Sequence, residues 1–149
     1  MEQAQREYFY KIDQEGKLFH DGAEITDEKL LRLFMRDIHE DKNGTLVVMC
    51  QGERNVIEVE DVPFVVLGID LNENRIELNF AGGYQESLDP QSLWVGAENV
   101  MYCLVRAGEF KARFNRNSYL ELTKLIKMDV ASGSYFLVLG DEKYKINKK

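Results

Sequence analysis

Lys111, Arg113 and Arg116 are the residues of this chain best spaced to hold an anion. Lys111 and Arg113 are two positions apart, so a strand through them carries both on one face. Arg116 lies just before residues that read as a helix start, where free backbone N–H groups already favour negative charge. Together the three would make a phosphate or carboxylate pocket. The competing reading is pairing with acidic residues, of which Glu58, Glu60 and Asp61 crowd one corner of the chain. Those carboxylates are either a solvated strand face with a turn aspartate or an acidic edge facing a partner or a polar ligand group. His20, in the polar run Phe19-His20-Asp21-Gly22, is a turn histidine bonded to backbone or a ligand contact. Trp94 is the only tryptophan and reads as core, or as a base-stacking platform if partly exposed near Arg113.

Other chemistry is missing. The sequence has no phosphate loop, no GxGxxG, no HExxH and no paired CxxC. His20 and His39 lack metal-ligand spacing, and a structural zinc site needs about four convergent ligands, so neither metal nor cofactor is expected. No nucleophile–base pair is legible, which ranks a hydrolase or transferase last. Cys50 and Cys103 sit on strand-like segments far from each other in the chain and read as buried reduced thiols.

The elements that must position these residues follow from periodicity and turn chemistry. Residues 1–7 read as a frayed start. Asp13-Gln14-Glu15-Gly16 and His20-Asp21-Gly22-Ala23 are turns between short apolar segments. Thr26 is expected to cap a helix over 27–40, in which Leu30, Leu31, Leu33, Phe34, Met35 and Ile38 cover a broad arc. Asn43-Gly44 then reads as the helix stop, and His39 as a surface residue near that end. Ile57 and Val59 alternate with Glu58 and Glu60, a strand ended by Asp61 and Pro63. Residues 64–99 are β-rich, with a hairpin connection at Asn72-Glu73-Asn74 and breaks at residues 81–84 and at Leu88-Asp89-Pro90. A hairpin turning at residues 106–109 leads to a second helix ending near Asp129, for which Asn115 and Ser118 compete as N-cap; Ser118 with Glu121 fits a capping box. A closing hairpin turns at Gly140-Asp141-Glu142.

The pattern strand, strand, helix, strand, strand occurs twice. The expected fold is therefore α+β: two tandem β-β-α-β-β repeats with mostly antiparallel sheets, packed through a shared interface. The segments are 8–63 for the first repeat, 64–99 for a β-rich connection and 100–147 for the second repeat. With 149 residues the chain suits one domain or two very small ones sharing a core.

Net charge is −7, unevenly spread: residues 1–99 hold 9 Lys/Arg and 21 Asp/Glu, whereas residues 100–149 hold 10 and 5. Overall acidity argues against nonspecific nucleic-acid binding. The apolar runs are far short of the roughly 20 residues that cross a membrane. The opening residues have no apolar h-region, so a cytosolic protein without a secretory signal is expected.

The run Gly16-Lys17-Leu18-Phe19-His20-Asp21-Gly22, Ile25, residues 30–34 and the complete segment Ile57-Glu58-Val59-Glu60-Asp61-Val62-Pro63-Phe64 together resemble the bacterial domain-of-unknown-function family numbered 1285. The family's G-x-W-x-H-x-G start departs here, with Leu18-Phe19-His20 shifting or replacing the aromatic. The resemblance covers about residues 10–137. It implies a tandem duplication whose second copy is superficially like a pleckstrin-homology fold, a nucleotide-type ligand at the interface between copies, and a signalling role. It carries over no enzymatic activity, and it marks His20, Glu60, Asp61 and Arg113 as interface candidates. The leading functional expectation is thus a sensory or regulatory module for a small anionic ligand. The alternative is a protein–protein interaction module in signalling with no small ligand, using a sheet edge or apolar patch.

Overall fold

The computed structural model describes residues 6–148. Among them the fold is α+β, with many short strands and two α-helices in antiparallel and mixed sheets. The chain forms two compact units. The first runs up to Val62 and takes in Ala81–Tyr84; the second holds Pro63–Phe80 and the chain from Gln85 onward. Residues 64–80 and 85–99 thus cluster with the second helix.

The first unit contains β1 (Glu7–Ile12), β2 (Leu18–His20), β3 (Ala23–Ile25), α1 (Glu28–Asp37), β4 (His39–Glu40), β5 (Leu46–Cys50) and β6 (Glu53–Val59). They build one sheet in the order β3-β2-β1-β6-β5-β4. All pairs are antiparallel except β1 with β6, whose parallel register sets Tyr10 beside Ile57. A parallel pair needs a crossover, and everything from β2 to β5 supplies it. Ile12, Leu18, Phe34, Ile38, Val47 and Ile57 are buried as its core. Of the frayed start expected over 1–7, residues 1–5 lie outside the described residues, while Glu7 already pairs with Arg54 in β1.

Both ends of α1 differ from expectation. Its cap is Asp27, whose carboxylate accepts from Lys29 N at 2.9 Å, so Thr26 is not the cap. It ends at Asp37, not at 40. Ile38 turns extended (φ −58°, ψ 134°) while its N–H still donates to Phe34 O at 2.9 Å. His39 and Glu40 then pair with Val47 and Leu46. A strand ladder outcompetes two more helical bonds here, so His39 is a strand residue and Asn43-Gly44 serves a hairpin turn. In that turn the Asp41 carboxylate accepts from Asn43 N and Thr45 N, at 2.8 and 2.9 Å. The broad apolar arc is buried only at Phe34, Met35 and Ile38; Leu30, Leu31 and Leu33 are half-buried. The 81–84 break folds as a 3-10 turn against α1, where Arg32 Nε donates to Gly82 O at 2.7 Å.

The second unit contains β7 (Phe64–Val66), β8 (Gly68–Asn72), β9 (Arg75–Asn79), β10 (Gln85–Ser87), β11 (Trp94–Val95), β12 (Met101–Val105), β13 (Phe110–Phe114), α2 (Arg116–Thr123), β14 (Ile126–Met128), β15 (Tyr135–Leu139), β16 (Glu142–Lys145) and β17 (Asn147–Lys148). Three sheets result: β10-β9-β8, the mixed β17-β11-β12-β13-β7, and β14-β15-β16. Phe64 packs edge-on to Phe80 at 5.5 Å and tilted on Phe110 at 5.7 Å.

Asn115 caps α2, accepting from Ser118 N at 2.8 Å. Ser118 is buried, and its hydroxyl donates to Val66 O at 3.2 Å, so the expected capping box with Glu121 does not form. The helix stops at Thr123 rather than near Asp129, because Ile126–Met128 pairs with β15 as a strand.

Candidate functional site

The first unit has a hollow of about 390 Å³ on its sheet. Phe9, Tyr10 and Phe19 line it together with Asp13, Glu58 and Glu60. Here the structure brings Glu60 next to the surroundings of His20. The imidazole stacks on Tyr10 at 4.4 Å, donates its Nδ1–H to Phe9 O at 3.0 Å, and holds Nε2 3.4 Å from the Asp21 carboxylate. A carbonyl only accepts, so the proton sits on Nδ1. Glu60 accepts from Gln14 N at 3.0 Å. Asp61 follows the end of β6 and does not line the hollow. Among the described residues no group of three or more His, Cys, Asp or Glu is placed to hold a metal ion. Burial, with smaller contributions from Cys50 and Glu53, pushes the Tyr10 phenol above its ordinary value.

In the second unit Lys111 and Arg113 alternate with buried Phe110, Ala112 and Phe114, so the two cations share the outer face of β13 as their spacing predicts. Arg113 sits beside Tyr102 on one neighbouring strand and Val65 on the other. Arg116 is the exposed first residue of α2. None of the three belongs to the lining of either hollow. Trp94 is 8% exposed and stacked on Tyr102 at 5.3 Å, which makes it core and removes the stacking-platform reading. Cys103 is fully buried, and that burial raises its thiol pKa far above the usual range; Cys50 is half-buried, and both thiols are free.

The larger cavity, about 820 Å³, lies wholly in the second unit. It exists because β17 returns to lie parallel to β11, with Trp94 beside Asn147 and Val95 beside Lys148. Ile146, between β16 and β17, donates its N–H to Tyr135 O at 2.9 Å. The floor is apolar: Met101 and Ile146 are buried, and Val95 and Ile126 half-buried. Tyr119 and Thr123 enter from α2, and Ser134 and Tyr135 from the start of β15. Asn99, Asn147, Lys145 and Lys148 form an exposed rim.

None of the lining residues is Asp or Glu, although the chain has 26 of these against 19 Lys/Arg. Neither Lys145 nor Lys148 makes an ion pair among the described residues. The carboxylate of the nearby loop, Asp129, is occupied by the Ser132 hydroxyl at 2.8 Å and by Ala131 N, bonds that hold its pKa below the ordinary value. Sequence alone shows the basic bias of residues 100–149, but nothing local ties Lys145 to Met101.

Residues 1–104 match the family described as "Domain of unknown function (DUF4505)". The chain belongs to this family. The match ends within β12, so the family stretch includes Val95, Asn99 and Met101 of the cavity and leaves the rest of its lining beyond. Two crystal structures share the fold. A DUF1285 family protein from Silicibacter pomeroyi DSS-3 superposes with a TM-score of 0.65 at 19% identity, covering 95% of this chain and 82% of that one. A DUF1285 family protein from Shewanella baltica OS155 gives 0.64 at 14% identity, covering 78% and 91%. The likeness to the family numbered 1285 that segment 57–64 carries in sequence is thus matched by a likeness in fold.

Proposed function

We propose that this protein is a non-catalytic sensory or regulatory module that binds a small anionic ligand in the cavity of its second unit. The observation that carries this reading is a ligand-sized cavity with two unpaired ammonium groups and no carboxylate in an acidic chain. Pockets of about 300–1,000 Å³ with an apolar body and a few polar groups are the usual form of small-molecule sites, and a wall of one charge sign concentrates the opposite ion. The lining offers Thr123 and Ser134 hydroxyls but no His, Asp or Glu to serve as their base, which favours binding over nucleophilic chemistry. Lys111, Arg113 and Arg116 are the competing anchor for an anion; affinity that survives Arg113→Ala removes that residue from the site.

The duplication inferred from sequence is supported by strand order, with the copies beginning earlier and carrying one extra strand before the helix and, after it, one in the first copy and two in the second. In the first unit a three-strand meander, α1 and a second meander end with β6 parallel to β1. In the second, β11-β12-β13, α2 and β14-β15-β16 end with β17 parallel to β11.

A thermal-shift screen of nucleotides, inorganic phosphate and carboxylic acids tests the binding reading. A ligand at a hundredfold excess over its Kd stabilises the fold by about 2.7 kcal/mol. We expect a concentration-dependent rise with one class of anion, lost in Lys145→Gln/Lys148→Gln. A flat response across the panel rejects the reading. The second reading, a protein-interaction module, draws on exposed Leu67, Leu71 and Leu120: β8 is an edge strand in contact with α2. It requires a dimer or complex in solution that Leu71→Lys disrupts, measured by light scattering.

A further inference from the structure

The same cavity has a direction, and the direction selects the ligand. Burial falls steadily from Met101 and Ile146, at 3% and 9% exposed, through half-buried Val95 and Ile126 to the exposed lysines at the mouth. Two half-buried hydroxyl residues, Thr123 and Ser134, are the polar side chains at intermediate depth, and Thr123 already donates its hydroxyl to Leu120 O at 2.6 Å. The part of α2 that reaches the cavity is Tyr119 and Thr123, the latter its final residue. A helix C-terminus carries partial negative charge and repels an anion. Negative charge is therefore disfavoured deep in the cavity and favoured only at the rim. No arginine and no helix N-terminus contributes to the lining, so the fork and N–H donors that usually hold phosphate are missing.

Resting on the anion-binding reading above, we infer that the ligand is an amphipathic monoanion. Its aliphatic or aryl body lies on the Met101–Ile146 floor, flanked by the rings of Tyr119 and Tyr135, and its single acid group meets Lys145 and Lys148 at the mouth. Two exposed ammonium groups match one carboxylate or sulfonate. They are too few and too screened to offset a di- or triphosphate.

The probe is 8-anilinonaphthalene-1-sulfonate, titrated into the full-length protein by fluorescence, then displaced by straight-chain carboxylates from butyrate to decanoate, by AMP and by inorganic phosphate. We expect saturable one-to-one binding and displacement that strengthens about three- to fourfold per added CH₂, the increment of burying a methylene. Lys145→Gln/Lys148→Gln, at exposed positions that leave folding intact, should weaken decanoate about tenfold and flatten its salt dependence. Displacement by AMP or phosphate with no gain along the carboxylate series overturns the ligand class and leaves the anion site standing. Binding unchanged in the double variant overturns the placement. Failure of every probe and competitor at millimolar concentration overturns both the ligand class and the anion-binding reading.

Discussion

Arg54 lies between two carboxylates, with Nε 3.3 Å from Glu7 and a terminal nitrogen on Asp41. The guanidinium, helped by backbone bonds from Thr45 and Asn43, holds the Asp41 carboxyl down to about 2. A carboxylate depressed from its ordinary value near 4 stabilises the fold fully above that value and loses its contribution as pH falls through the folded pKa. Wild type should therefore exceed Asp41→Asn in urea midpoint at pH 6, with the difference closing between about pH 4 and pH 2. A difference independent of pH would show that Asp41 acts by turn geometry alone. His20 is held by its Nδ1–H bond to the Phe9 carbonyl and by stacking on the Tyr10 ring.

At the scale of elements, caps and turns decide where each piece stops. Asp27→Ala removes the carboxylate that caps α1 and should cost about 1 kcal/mol, while Thr26→Ala, one position earlier, should change stability by less than about 0.5 kcal/mol. Chemical denaturation of the pair separates the two assignments. The turn at 81–84 gives a sharper test. Gly82 has φ +71°, and a Cβ there would collide with the Arg32 backbone nitrogen and come within 2.7 Å of Glu28 O. Backbone of a helix cannot give way cheaply, so Gly82→Ala should destabilise by about 3 kcal/mol or more. Gly108 has φ +87° with open space around it, so Gly108→Ala should cost only about 1 kcal/mol of backbone strain. Equal losses at the two glycines would mean the 81–84 turn does not pack on α1 in solution.

For the molecule as a whole, the first unit is not a continuous piece of chain. It borrows Ala81–Tyr84, and with it the Gly82 carbonyl that Arg32 bonds. A fragment of residues 1–62 leaves that face of α1 uncovered and Arg32 without its acceptor. It should lose a cooperative thermal transition by circular dichroism, and a fragment extended through residue 84 should regain part of it. A sharp two-state melt of the 1–62 fragment would show the turn to be dispensable. No described helix is long and apolar enough to cross a membrane.

What the sequence determined by itself is what depends on neighbours in the chain. The Asp13–Gly16 turn forms with Asp13 accepting from Glu15 N and Lys17 N, and Asp21-Gly22 turns with both residues at positive φ. Ile57 is buried while Glu58 is exposed, as alternation requires, and the shared face of Lys111 and Arg113 follows from the same period. Tertiary structure decided the rest. Helix ends moved because β4 and β14 found partners in β5 and β15, a gain that no local propensity contains. Trp94 is core because Tyr102 stacks on it. The cavity was invisible for the same reason: its floor joins Val95 and Met101 to Ile126 and Ile146, positions that meet only once β17 returns beside β11. Periodicity records which side of an element is apolar; only the closed chain determines which apolar sides leave a space between them.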